Sequence, residues 1–235
     1  MSLRAAVEAT ARPTDDRERD RSSKPAEVLA FVGIGPGMTV LDLAAGGGYF
    51  TELLARVVGP RGKVIAHNHP GALAMLGAET FERRYGDERL PNVEQLFARH
   101  DDLRLATQSL DAALVSMVYH DVYWSDPSVD WSPIDPHAML ARLRAALKPG
   151  GVVGVIDHHA PAGSDPRASA KAAHRVDADV VRRDFLAAGF DLDAESDALR
   201  NPDDDRTRSV FDPAVYRRTD RFVLRFRRPD AGARG

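Results

Sequence analysis

Histidine and aspartate side chains follow two apolar stretches of the sequence, at positions where they could transfer protons. His120-Asp121 comes after LDAALVSMV, and Asp157-His158 comes after VVGVI. A histidine titrates near neutral pH and therefore suits the transfer of a proton to or from a substrate. We predict that both clusters face one crevice, with His120 as the proton acceptor. Asp157 or His158 would then orient His120 or bind the substrate.

The same clusters allow two other interpretations. Asp and His side chains in a cleft can hold a divalent metal, and the ligand atoms would come from Asp121, Asp157, His158 and His159. Polar residues at strand ends also cap helices or bind loop backbone without any catalytic role. We expect no resident metal, and a metal-assisted reaction is kept as an alternative.

A glycine-rich turn joins an apolar strand to a helix near the start of the chain. TVLDL is followed by AAGGG (44–48), and apolar residues then recur at helical spacing as far as Gly59. Such a turn lets a ligand approach the backbone and the helix N–H groups. The dinucleotide pattern G-x-G-x-x-G would need glycine at Thr51, and the phosphate-binding pattern G-x-x-x-x-G-K-[ST] is absent from the sequence. NAD and nucleoside triphosphates are therefore disfavoured as ligands.

Strand and helix patterns alternate along the chain, which predicts an α/β fold with a mostly parallel sheet. The last predicted strand alternates Arg with apolar residues, so we interpret it as an edge strand. Two predicted helices begin at Pro25 and Phe50, and three more cover 72–85, 136–147 and 176–188. The predicted strands cover 39–43, 63–66, 93–97, 110–118, 152–156, 190–195 and 220–227.

Four motifs in order resemble a known family. VLDLAAGGG (40–48), the acidic pair Asp101-Asp102, Ser109-Leu110-Asp111 and LKPGG (147–151) are similar to the motifs of class I S-adenosylmethionine-dependent methyltransferases. The match covers roughly residues 25–195, and LKPGG is its most specific part. Longer stretches, including LRNPDDDRTRSVFDP, resemble a bacterial subgroup described only as predicted methyltransferases. The resemblance implies a Rossmann-like, seven-stranded sheet with the last strand antiparallel and helices on both faces.

The resemblance also implies a binding site for S-adenosylmethionine. Gly46, Gly47 and Gly48 would let the backbone pass beside the methionine part of that molecule. Asp42 would orient the turn or meet the ammonium group through water. Asp101 or Asp102 would accept a hydrogen bond from the adenine amine.

Two positions depart from the family pattern. Ala44 stands where the family usually has glycine. Asn68 stands where an acid usually holds the ribose hydroxyls, and an amide lacks the charge-assisted bond of a carboxylate. The sequence therefore predicts either weaker cofactor binding or a ribose held by His67.

Composition limits the choice of partners and location. The formal net charge is −3, cysteine is absent, and no apolar run approaches the length of a membrane span. We therefore expect neither nucleic acid nor membrane as a partner, and no disulfide. The first 24 residues lack the apolar core of a signal peptide, which predicts a cytoplasmic protein. A homodimer is left open.

The chain divides into a polar N-terminal arm (1–24) and one domain (25–235), with 121–135 and 197–218 as candidate active-site loops. The charge-rich arm is interpreted as solvated, with a lid as the alternative. Trp124 and Trp131 could wall a substrate pocket. Three further histidines are expected to be structural or solvated, and Asp203-Asp204-Asp205 to form a solvated turn. Those histidines are His100, His137 and His174.

The predicted function is methyl transfer from S-adenosylmethionine to a small organic molecule. A binding or regulatory protein that keeps an adenosyl ligand without methyl transfer is the alternative that Ala44 and Asn68 motivate. A metal-assisted enzyme on the same fold is the other.

Overall fold

The computed structural model describes residues 1–129 and 131–230. A seven-stranded sheet forms the centre, in the order β3-β2-β1-β4-β5-β7-β6. The strands are β1 (Thr39–Leu43), β2 (Lys63–Asn68), β3 (Val93–Phe97), β4 (Leu110–Ser116), β5 (Leu147–His158), β6 (Asp191–Ser196) and β7 (Arg221–Arg227). β1 to β5 pair in parallel, whereas β7 is antiparallel to both β5 and β6. The predicted fold class is confirmed.

Helices cover both faces of the sheet. They are α1 (Leu3–Val7), α2 (Thr14–Ser23), α3 (Pro25–Val32), α4 (Tyr49–Val58), α5 (Ala72–Leu76), α6 (Ala78–Tyr85), α7 (Pro136–Ala146), α8 (Pro166–Ala173) and α9 (Ala178–Ala187). Short 3₁₀ helices span His100–Asp102, Tyr119–Val122 and Pro127–Val129. None of the helices in the described ranges is long and apolar enough to cross a bilayer.

Alternate residues of each central strand enter two separate cores. Leu41 and Val115 pack on the face covered by α7 and α9, while Val40 and Leu114 pack on the face covered by α3 and α4. Both faces are apolar because parallel strands are buried on both sides. The strand order reverses between β1 and β4, so the crevice for ligands lies at their carboxyl ends.

Two sequence predictions about elements were wrong. The segment 72–85 is two helices, because Gly77 has φ 78° and ends the first of them. The Arg-rich strand β7 lies inside the sheet, and β6 is the edge. Arg225 and Arg227 of β7 pair with Asp193 of β6, so charge complementarity joins the two strands where edge protection was expected.

The N-terminal arm is not simply solvated. Arg12 is 2% exposed and pairs with Asp20, which also accepts a hydrogen bond from Tyr49 at 2.7 Å. Asp16 pairs with Arg84 of α6. These contacts hold α2 against α4 and α6. The chain was divided into an arm (1–24) and a domain (25–235). Residues 130 and 231–235 of that domain lie outside the described residues.

Candidate active site

A buried histidine–aspartate pair lies where β4 and β5 end side by side. Asp157 Oδ1 is 2.8 Å from His120 Nδ1, and Asp157 Oδ2 accepts the His120 backbone N–H at 2.9 Å. Asp157 also accepts the N–H of His158 at 2.7 Å. Since Nδ1 is engaged, the His120 ring presents Nε2 away from Asp157, 3.3 Å from Asp121.

The two histidines of this region have opposite protonation tendencies. Burial lowers the pKa of His120, but the charges of Asp157 and Asp121 outweigh it and raise that pKa to about 9. Burial and the neighbouring His120 hold the pKa of His158 well below its usual value. His158 Nδ1 lies 2.6 Å from Thr219 Oγ1. At neutral pH His120 is therefore charged and His158 is neutral.

His174 joins this cluster, which the sequence did not predict. Its Nδ1 is 3.8 Å from Asp121 Oδ1, and its ring centroid is 5.4 Å from that of His120. His174 ends α8 with a left-handed φ of 52°, and only the path of the chain brings it here. His120, Asp121 and His174 each offer a ligand atom, and these atoms lie within 4.8 Å of one another. Within the described chain these three residues converge as possible metal ligands, whereas His159 of the set inferred from sequence bonds the Ala160 carbonyl through Nδ1.

A cavity of about 470 Å³ opens in front of His120. We call it the aromatic cavity, lined among others by His120, Asp121, Trp124, Trp131, His174 and Phe211. Trp124 and Trp131 lie with their ring centroids 5.7 Å apart. The loop 121–135 thus places both tryptophans of the chain in the cavity wall, as predicted for a pocket.

The glycine turn lies at the end of β1 and is held from two sides. Gly46 has φ 56°, and a Cβ added there would meet nothing within 4 Å. Gly48 has φ 79°, and its added Cβ would lie 2.6 Å from Tyr85 Oη. The Gly47 carbonyl accepts a hydrogen bond from Arg84 at 2.8 Å. Gly48 is therefore needed for packing against α6, whereas Gly46 leaves space for a ligand.

Asp42 is buried beneath this turn. It is 2% exposed and accepts a hydrogen bond from Thr51 Oγ1 at 2.6 Å. Burial raises the pKa of Asp42 to about 7, although the Thr51 hydroxyl opposes that rise. This bond joins the end of β1 to the first turn of α4.

The ends of β2 are tied to the same turn. Asn68 Oδ1 accepts the Gly46 N–H at 2.9 Å, and Asn68 Nδ2 donates to the Gly46 carbonyl at 3.4 Å. His67 is buried, accepts the Ala44 N–H at 3.3 Å and lies 2.9 Å from the Ala98 carbonyl. Burial lowers the pKa of His67 to about 4. Both side chains suggested for the ribose are thus engaged with backbone.

The acidic pair follows β3 and is bonded to arginines. Asp101 pairs with Arg99 at 2.9 Å, and Asp102 pairs with Arg104 at 3.0 Å. The Asp102 side chain is 44% exposed, so it keeps access to solvent. His100, directly before the pair, is 1% exposed, and within the described chain neither ring nitrogen has a hydrogen-bond partner.

Comparisons with known proteins agree with this architecture. The family model for protein-L-isoaspartate(D-aspartate) O-methyltransferase matches residues 20–100. The chain is 27% identical over 196 residues to the ubiquinone/menaquinone biosynthesis C-methyltransferase UbiE of Escherichia coli O1:K1 / APEC, covering 82% of this chain and 71% of that protein. It is 32% identical over 140 residues to the trans-aconitate 2-methyltransferase of Variovorax paradoxus, covering 59% of this chain and 46% of that one. The UbiE of Hahella chejuensis is 27% identical over 130 residues, which are 55% of this chain and again 46% of the relative, so the chain spans about half the length of these two proteins.

Solved structures show the same fold at low sequence identity. A SAM dependent methyltransferase from Aquifex aeolicus superposes with a TM-score of 0.59 at 18% identity, covering 92% of this chain and 99% of that one. An S-adenosylmethionine dependent methyltransferase from Mesorhizobium loti gives 0.61 at 16% identity, covering 89% and 100%. Together with the ordered motifs and the strand order, these comparisons show a chain that is similar to the class I S-adenosylmethionine-dependent methyltransferases and has their fold.

Proposed function

We propose that this protein transfers the methyl group of S-adenosylmethionine to a small organic molecule bound in the aromatic cavity. The observation that carries the proposal is the buried His120–Asp157 pair facing that cavity beside the glycine turn of a methyltransferase fold. Two of the relatives are a ubiquinone/menaquinone biosynthesis C-methyltransferase and a trans-aconitate 2-methyltransferase, and their names support a small acceptor. A cytoplasmic location and a homodimer stay predictions.

The residues around the turn fit an adenosyl ligand. Open space lies beside Gly46, and His100 brings two unpartnered, buried ring nitrogens next to the acidic pair. Asp102 has the exposure needed to accept from an amine. S-adenosylmethionine supplies an electrophilic methyl group on its sulfonium. In this proposal Gly46 and Gly47 border its methionine part, and Asn68 exchanges a bond to Gly46 for one to the ribose.

His120 accepts the proton that the acceptor loses. Asp157 fixes the ring through Nδ1, which leaves Nε2 toward the cavity as the accepting atom. Only neutral His120 can accept, and its pKa is raised to about 9. We therefore expect kcat/KM to increase with pH up to about 9 and then to level off.

Metal-assisted chemistry is the second candidate, because His120, Asp121 and His174 converge on one point. In that case His120 would be a ligand and could not accept a proton. Activity would then be lost with a chelator and restored by a divalent cation.

The first experiment is calorimetric titration with S-adenosylmethionine and S-adenosylhomocysteine, with NAD as control. Micromolar binding of the adenosyl ligands alone is expected, followed by a screen for methyl acceptors. His120→Gln should reduce turnover by about 10²- to 10⁴-fold with unchanged cofactor affinity. Absence of adenosyl binding would contradict the proposal, and binding without any acceptor would favour a regulatory role.

A further inference from the structure

A second cavity of about 210 Å³ adjoins the aromatic cavity and carries three arginines. We call it the arginine pocket, lined by Arg19 of α2, by Arg217, and by Arg221, the first residue of β7, together with Ser22 and Ser23. His158, Met117, Val210 and Phe211 line both cavities. The two cavities therefore lie side by side along these four residues.

Within the described part of the chain, none of the three arginines of this pocket forms an ion pair with a carboxylate. Arg221 is 6% exposed, donates to the Ser22 carbonyl at 2.6 Å, and has a buried Nε without a hydrogen-bond partner. The Arg19 guanidinium lies 4.1 Å from the centre of the Tyr49 ring and donates to Ser23 Oγ at 3.3 Å. Arg217 contacts the Tyr216 ring at 5.4 Å.

The nearby carboxylates are already occupied. Asp20 pairs with Arg12, and Asp220 pairs with Arg200 and Arg206. Burial and the charge of Arg19 lower the pKa of Arg221 to about 10, which reflects the same lack of compensation.

Other buried arginines of this chain behave differently. Arg12, Arg84 and Arg175 are each paired with at least one carboxylate. Burying a charge is costly unless it is paired, so buried arginines in proteins are normally matched. Arg221 is thus an exception, and an anionic ligand in the arginine pocket would give it the missing partner.

We propose that the arginine pocket binds an oxyanion, a carboxylate or a phosphate, carried by the methyl acceptor. The remainder of the acceptor then lies in the aromatic cavity beside His120. Arginine suits this role because its planar guanidinium can donate two parallel bonds to such a group. The inference rests on the proposed function and adds the substrate class, a small anionic molecule.

The location of the pocket favours the acceptor over the cofactor as the source of the anion. Arg221 is paired in register with His158, on the β5–β7 side of the sheet. The glycine turn follows β1, which is separated from β5 by β4. Arg19 contacts the ring of Tyr49, which directly follows the glycine turn. The carboxylate of S-adenosylmethionine is therefore a second possible source of the anion, and the experiment must distinguish it from the acceptor.

The test uses the tryptophans of the chain, since both line the aromatic cavity. Quenching of their fluorescence is titrated with phenylacetate, with phenyl phosphate, and with the neutral phenylacetamide. We expect saturable binding of at least one anion, with the amide weaker by roughly tenfold or more. Arg217→Met and Arg221→Met should each lower the affinity for the anion by about 10- to 100-fold and leave the affinity for the amide unchanged.

Two variants act as safeguards. Arg217 is exposed, so its replacement leaves the fold intact even if Arg221→Met destabilises the protein. Arg61→Met removes an exposed charge before β2, which β1 and β4 separate from β5 and β7, and should not change binding.

Equal binding of anion and amide, full affinity in both pocket variants, or no saturable binding of either anion would overturn the proposal. S-adenosylmethionine and 5′-methylthioadenosine, which lacks the amino-acid part, form the second arm. If Arg221→Met weakens the binding of S-adenosylmethionine but not that of 5′-methylthioadenosine, the pocket binds the cofactor and the assignment to the acceptor is wrong. Anion binding in a protein that binds no adenosyl ligand would instead contradict the proposed function alone.

Discussion

Ala44 carries a backbone conformation that favours glycine. Its φ is 54°, and its N–H is held by His67 at 3.3 Å. A left-handed conformation costs a residue with a Cβ about 1–2 kcal/mol, and glycine avoids this cost. Glycine also loses more backbone entropy on folding, which offsets part of the gain. We expect Ala44→Gly to raise the free energy of unfolding by about 1 kcal/mol in urea titration. Ala45→Gly, at a residue without positive φ, should lower it, and equal effects of the two variants would show that Ala44 is unstrained.

The His120–Asp157 pair makes stability depend on pH. The pKa of His120 is about 9 in the folded protein against an ordinary value of 6.5, so protonation favours folding. Its contribution is complete below pH 6.5 and is lost as pH rises to about 9, with a magnitude on the order of 3 kcal/mol. Urea unfolding of wild type and His120→Gln at several pH values measures it as a difference. A difference that stays constant from pH 6 to about 9 would contradict the raised pKa.

Residue types alone indicated candidate residues but not the bonds that those residues make. His120, Asp157 and His158 do meet, because neighbouring parallel strands end at one edge. Asn68 and Asp101 were expected to face a ligand and are bonded to Gly46 and Arg99. Such bonds depend on rotamers and on distant residues, which a sequence does not specify.

At the scale of elements, β5 packs closely against α3. A Cβ on Gly154 would collide with Val32 Cγ2, and Val32 is 1% exposed. We expect Gly154→Ala to cost about 1–3 kcal/mol of unfolding free energy through overpacking. In the double variant with Val32→Ala the loss should be smaller than the sum of the single losses. Gly35→Ala, whose added Cβ meets only Met38 Cε at 3.9 Å, is the matched control. Additive losses would refute the contact.

The elements themselves followed from apolar periodicity, with two instructive exceptions. Helix 72–85 was predicted unbroken because Gly77 lies within a helical pattern, yet its φ of 78° interrupts the helix. β7 resembled an edge strand because of its arginines, but Asp193 on β6 pairs with Arg225 and Arg227. Strand position depends on pairing between distant segments, and periodicity contains no information about that.

At the scale of the molecule, a buried ion pair ties the segment 197–218 to the end of α8. Arg175 and Asp204 side chains are both 0% exposed and lie 2.8 Å apart, so the expectation of a solvated turn was wrong for Asp204. Asp204→Ala leaves Arg175 buried and unpaired, and should cost about 3–5 kcal/mol of unfolding free energy. Asp205→Ala removes an exposed neighbour and should cost less than about 1 kcal/mol. Thermal and urea unfolding of both variants measure the contrast, and equal losses would argue against it.

The sequence by itself determined the α/β class, the seven strands, the glycine turn and the resemblance to methyltransferases. These depend on local periodicity and on short motifs, which survive without knowledge of packing. Only the tertiary structure brought His174 to His120 and Asp121, placed β7 inside the sheet, and left three arginines around one pocket. Each of these features joins residues far apart in the chain, and their meeting is decided by how the cores and loops pack together.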